Sequence, residues 1–150
     1  MFSGFLGLYE VAVDEKGRIA IPARFRQTFA EHGDLQLVMT TGPSSCIEIY
    51  PAEEFQRVAD DIQRLEDRAA AELLQQVFIG FAAEAEIDKQ GRVLLPTLLR
   101  KRAGLNGTAV VSGRGRRFDV WSAERWNERF GDGPGNAFEQ AASAYLQIRR

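Results

Sequence analysis

Arg18 and Arg92 are the residues best placed, by type and spacing, to do chemistry. Each stands four residues after an aspartate and directly after a glycine, in Asp14-Glu-Lys-Gly-Arg18 and again in Asp88-Lys-Gln-Gly-Arg92. A guanidinium held on a turn can offer two parallel N–H groups to the O6 and N7 acceptors of guanine in a major groove. Lys16 and Lys89 alongside can hold phosphates. Asp14 and Asp88 would repel a phosphate, so their expected work is local: bonding the backbone N–H groups ahead of them, shaping the turn and orienting the arginine. Gly17 and Gly91 can take the left-handed conformation such a turn needs. One copy alone would read as a capped turn with a solvated arginine. Two copies make a pair of matched cationic fingers.

The elements around the motifs repeat as well. Ile47-Glu-Ile-Tyr-Pro-Ala-Glu-Glu-Phe55 corresponds to Phe118-Asp-Val-Trp-Ser-Ala-Glu-Arg-Trp126. The offset between these segments is slightly shorter than that between the two motifs, so a short loop was lost between matched elements. Such self-similarity predicts a tandem duplication of one supersecondary unit. Each half reads strand, turn, strand, helix, strand, strand. Gly7–Val13 and Ile19–Ile21 suggest a β-hairpin with Asp14–Gly17 at its tip. Pro22 and Pro96 suit helix starts, and Gly33 and Gly104 suit helix ends. Leu35–Thr40 with Ile47–Tyr50, and Thr108–Ser112 with Arg117–Trp121, are the second strand pairs. Residues 51–79 step in apolar threes and fours, compatible with one long helix or two. Ser122 and Asn136 cap two further helices, the last weakly apolar. The expected division is 1–78 and 79–150, together one compact domain.

Composition narrows the function. The chain has 150 residues, 45% hydrophobic, with a net charge of −2. Net charge does not suggest a polyanion partner, but its distribution does. Cations cluster after each finger, at Arg24 and Arg26 and at Arg100, Lys101 and Arg102, while acids gather at 48–72. Local field, not net charge, steers a polyanion. Arg24, Arg26, Arg100, Lys101 and Arg102 are candidate DNA contacts, although a solvated helix face explains each one alone. Arg114, Arg116 and Arg117 read as a soluble turn, salt-bridged to a neighbouring protomer's acids. One cysteine and one histidine cannot build a usual zinc site. No catalytic constellation, phosphate loop or dinucleotide fingerprint is present, so no enzyme, cofactor or small-molecule substrate is expected. No signal peptide or membrane span is read, and a reducing cytoplasm is the expected compartment.

The doubled Asp-x-Lys/Gln-Gly-Arg motif, each copy followed by a Pro-opened helix in a chain beginning Met-Phe-x-Gly, resembles the bacterial MraZ family of transcriptional regulators. That resemblance implies an α+β fold, a tandem-duplicated swapped-hairpin (AbrB-like) β-barrel with flanking helices. It implies a ring-shaped homo-oligomer on double-stranded DNA at the nucleoid. The implied sites are G-rich direct repeats in the promoter of an operon for cell division and cell-wall synthesis. The family's Asp-x-x-x-Arg motif carries over to Asp14 with Arg18 and Asp88 with Arg92. Departures are Gln90 where the first motif has Lys16, an acidic strand before the first motif, and no visible break at 60–70. The alternative from another class is a non-DNA scaffold or antitoxin-like interaction module of the same fold. Tyr50, Phe55, Trp121 and Trp126 are expected as seams that a protomer leaves partly uncovered, which favours self-association.

Overall fold

The computed structural model describes residues 1–33 and 36–148. Eight strands and six helices are named in chain order: β1 Leu8–Ala12, β2 Arg18–Ala20, α1 Ala23–Glu31, β3 Gln36–Thr41, β4 Ile47–Pro51, α2 Ala52–Gln63, α3 Arg68–Leu74, β5 Ala83–Glu86, β6 Arg92–Leu94, α4 Thr97–Ala103, β7 Thr108–Gly113, β8 Phe118–Ser122, α5 Ala123–Phe130 and α6 Ala137–Tyr145. A π-helical turn at Gln75–Ile79 extends α3, closed by Gly80 N–H to the Gln75 carbonyl at 2.9 Å. The Leu35 start expected for the third strand lies outside the described residues.

The expected local hairpin does not form beyond its tip. Asp14 N–H still meets the Arg18 carbonyl at 3.0 Å, but the two strands then part. β1 pairs with β7 of the second half, and β5 pairs with β3 of the first. β2 pairs with β6. The physical reason lies in the residue before the turn: Val13 N–H goes to the Gly107 carbonyl at 2.7 Å, so the strand is drawn onto the other half. The result is a six-stranded antiparallel sheet in the order β1-β7-β8-β4-β3-β5, plus the β2–β6 ribbon. Exchanging the halves maps this order onto itself. This is the α+β, swapped-hairpin architecture.

Period-two patterning drives one face of the strands inward. Ile19, Val93, Ile47, Ile49, Phe118 and Val120 all reach one buried core. Phe25 and Phe29, four residues apart on α1, enter the same core from one helix face. Phe5, Phe25 and Phe118 form a ring cluster there, with centroids 4.9–5.2 Å apart. Each such fully buried side chain contributes roughly 1.5–3 kcal/mol. No helix among the described residues is long and apolar enough to cross a membrane.

The opposite face of β4 and β8 is covered within the protomer. Tyr50 packs with Phe55, Ile62 and Phe78 beneath α2. Trp121 packs with Trp126 and Phe130 beneath α5. Tyr50 and Trp121 are buried, at 3% and 6% exposure, so the expectation that they stay partly uncovered is corrected, while Phe55 and Trp126 are only partly buried. Their own half's following helix closes over them. Two helices occupy 51–79, with the break at 64–67. Asp67 makes that break by capping α3, accepting from Ala70 N–H at 3.1 Å. Ser122 and Asn136 cap α5 and α6 as expected, at 3.0 Å each.

Candidate nucleic-acid interface

Each of the two turns is built by its aspartate. Asp14 accepts from Lys16 N–H at 3.0 Å and Arg18 N–H at 2.8 Å, and its second oxygen takes Arg18 Nε–H at 2.9 Å. Asp88 accepts from Gln90 N–H at 2.8 Å and Arg92 N–H at 2.9 Å. Gly17 and Gly91 close the turns at φ +87° and +77°, where a side chain would be strained. Both carboxyls are held below their ordinary value. The largest cause is the backbone N–H of Arg18 for Asp14 and of Arg92 for Asp88.

The ribbon sets the two arginines side by side. In its register Arg18 lies opposite Leu94, and Arg92 opposite Ala20, with Ile19 and Val93 between them facing the core. Arg18 and Arg92 therefore share the outer face. Both are about one-third exposed at the side chain, 28% and 31%. Arg92 Nη1 also reaches Asp14 of the other half at 3.7 Å, so one carboxylate pairs with both arginines. The pair is not equivalent. Arg18 commits its Nε to Asp14, whereas Arg92 Nε is buried without a hydrogen bond, 3.9 Å from Asp88. Gln90 Oε1 accepts from Arg92 Nη2. Leu94 adds an exposed apolar side chain to this face.

The remaining candidates divide in two. Lys16, Lys89, Arg24 and Lys101 are exposed, and none makes an ion pair among the described residues. Arg26, Arg100 and Arg102 are engaged inside the chain. Arg26 Nη1 donates to the Ile21 carbonyl at 3.0 Å, and Arg100 Nε to the Leu95 carbonyl at 2.9 Å. Arg102 Nε donates to Thr41 Oγ1 at 3.0 Å.

Sequence reasoning missed a buried network where β4 meets β8. Glu48 and Asp119 are register partners there, buried at 5% and 1% exposure. Arg117 joins them, 2.9 Å from Asp119 and 3.5 Å from Glu48. Tyr50 donates to Glu48 at 2.8 Å and accepts from Arg117 at 3.2 Å. The signal was present: an acid at the same position of both repeats, inside an otherwise apolar strand.

A family model described as "MraZ protein, putative antitoxin-like" matches twice, at residues 4–78 and 77–146. The chain belongs to the MraZ family. Proteins named Transcriptional regulator MraZ are similar along most of its length. One from Heliobacterium modesticaldum is 38% identical over 96% of this chain and 98% of its own. One from Lachnoclostridium phytofermentans is 40% identical over 81% and 84%. One from Hydrogenovibrio crunogenus is 41% identical over 82% of each. The solution structure of PHS018 from Pyrococcus horikoshii is 19% identical, over 77% of this chain and 87% of that one, with a TM-score of 0.33, too distant to bear on the fold. MraZ is a family of transcriptional regulators, not of enzymes.

The aspartates give the turns a pH dependence. Because their folded-state values are lowered, their contribution is complete above the ordinary aspartate value, about 3.9. It is lost as pH falls through the lowered values. A pH titration followed by NMR should show the Arg18 and Arg92 amides moving only below about pH 4. Movement centred at neutral pH would show that something other than these carboxylates holds the turns.

Proposed function

We propose that this protein is a sequence-specific DNA-binding regulator of transcription that reads guanine through Arg18 and Arg92. The observation that carries this is the β2–β6 ribbon. It brings the matching arginines of the two repeats onto one outer face, each aimed by an aspartate. Two forks on one ribbon suit adjacent guanine edges in a major groove. Lys16, Lys89, Arg24 and Lys101 supply phosphate contacts that position the ribbon without reading sequence.

One ribbon per protomer buries too little for tight binding alone. A ring of protomers would repeat the ribbon at fixed spacing, and direct repeats would be bound at high effective concentration. Self-association is supported by two open sheet edges, β1 and β5. Exposed Leu8 on β1, and Phe138 and Tyr145 on α6, add apolar surface. The target we infer is a promoter with G-rich direct repeats ahead of an operon for cell division and cell-wall synthesis. The compartment is the cytoplasm, at the nucleoid. We read the halves 1–78 and 79–150 as one compact domain, since their strands share one sheet.

Light scattering is expected to give an assembly larger than a dimer. Affinity for duplexes should rise steeply from one G-rich repeat to three or four. A dilution-independent monomer, or equal affinity for one repeat and four, would defeat the multivalent account. A family model described as antitoxin-like keeps open an interaction module. No preference for promoter over random DNA in a mobility shift would favour it.

A further inference from the structure

We infer that Arg26 and Arg100 are positioning residues: each locks the reading turn of the opposite half, so the two turns form as one unit. This inference deepens the DNA-reading role proposed above by assigning what sets the reading arginines. Arg100 lies on α4 of the second half, yet it covers Gly17 of the first; a Cβ on Gly17 would stand 2.5 Å from Arg100 Cζ. Arg26 lies on α1 of the first half and covers Gly91 of the second so closely that a Cβ there would collide with its Nη1.

The backbone repeats the exchange. Leu95 N–H donates to the Gly17 carbonyl at 2.9 Å, and Ile21 N–H to the Gly91 carbonyl at 2.8 Å. In each case the covering arginine also bonds the carbonyl of the very residue whose N–H crosses: Arg100 to Leu95, and Arg26 to Ile21. The guanidinium therefore clamps strand end and opposite turn together. Arg100 spends a further N–H on Thr97 Oγ1 at 3.1 Å. These two side chains sit at matching positions of the repeat, as do the glycines they cover. A guanidinium suits this work, because it can lie close over a glycine while another of its N–H groups donates to a carbonyl; an ammonium offers no plane. The glycines are thus required twice, for a positive φ and for the approach of the arginine from the other half.

The consequence for reading is cross-talk. Arg18 follows Gly17 directly and Arg92 follows Gly91, so loss of either clamp releases the turn that aims the other half's arginine. The first test uses the full-length protein without DNA. Amide hydrogen exchange is measured for wild type, Arg100→Ala and Arg100→Lys, and for the same pair at Arg26. Opening of a local unit shows as faster exchange of its own amides. Arg100 variants should speed exchange at Leu95 and at Arg18, in the opposite half. Arg26 variants should speed it at Ile21 and Arg92. Protection of Ile49 and Val120 in the sheet should persist, showing an intact fold. Should alanine unfold the chain, the lysine variants decide the matter. Lysine giving wild-type exchange, or acceleration confined to the variant's own helix, would overturn the inference.

The second test uses an operator duplex across a salt series. Loss of positioning should shrink the preference for operator over scrambled DNA about tenfold, the size of one good base contact. The salt slope should stay unchanged. A slope reduced by about one with preference intact is the mark of a phosphate contact, and it would overturn the inference for that arginine. If DNA is not bound at all, the DNA-reading proposal fails, while the exchange result still decides the clamp.

Discussion

Arg18→Ala and Arg92→Ala are each expected to remove most of the preference for operator over scrambled DNA while the fold survives. Both side chains lie on the outer face of the ribbon, with Ile19 and Val93 carrying the buried contacts. Truncation therefore leaves the core intact, and the partly exposed ion pairs it removes are worth little; for surface pairs the median is about 0–1 kcal/mol. What is lost is base recognition. A bidentate arginine–guanine contact is worth roughly 1–3 kcal/mol of discrimination. The two losses should differ in detail. Arg18 is held by two carboxylate contacts to Asp14, one from its own N–H and one from Nε, and arrives preorganised. Arg92 must first leave Gln90 and Asp14. Gln90→Ala is then expected to leave the preference intact or sharpen it. Lys16→Ala and Lys101→Ala form the necessary contrast: weaker binding to every sequence, with a salt slope reduced by about one per contact. Affinities for operator and scrambled duplexes across a salt series check all of these variants. Full operator preference in both arginine variants would move base reading elsewhere on the molecule.

Much of this arrangement is legible in the chain, because duplication makes local signals confirm each other. The two turns follow from Asp, Gly and Arg at fixed offsets, and the helix starts from Pro22 and Pro96. Strand partners are not legible that way. Val13 alternates correctly for a hairpin, and the exchange shows only in the structure, in its hydrogen bond to Gly107 and in the pairing of β1 with β7 of the other half. Alternation specifies which face a strand buries, not which strand lies beside it. The same limit affected the arginines. Arg26 and Arg100 look like any cation on a helix face until the opposite glycine is found beneath them. The break before α3 was visible in Asp67 as a cap, but the uninterrupted apolar steps across 51–79 masked it. Tyr50 and Trp121 look partly uncovered in the chain because a strand face carries no sign of the helix that will fold back on it.

Arg117→Met is expected to be among the most destabilising single substitutions on this fold, at about 3–5 kcal/mol. Arg117 sits between two carboxylates that strand pairing forces together. Glu48 and Asp119 face each other across β4 and β8, with side chains only 7% and 2% exposed. Burial works against the Arg117 charge, and the hydrogen bond and charge of Asp119, with Glu48 beyond, more than offset it, raising its proton affinity above the ordinary value. Tyr50 is pushed upward too, first by burial and then by the Glu48 charge, so it stays a donor to that carboxylate. Methionine fills similar space but leaves two like charges buried, with Arg114, 3.3 Å from Asp119, as the remaining ion-pair partner among the described residues. The cost is that of the stranded anions, not of a lost attraction. It follows that Asp119→Asn should recover part of the loss in the Arg117→Met background while costing stability in the wild-type one. Urea unfolding of the four proteins at one protein concentration measures this coupling. An Arg117→Met loss below about 1 kcal/mol, the range of exposed pairs, would show that water reaches the acids and that the seam between the repeats is not closed.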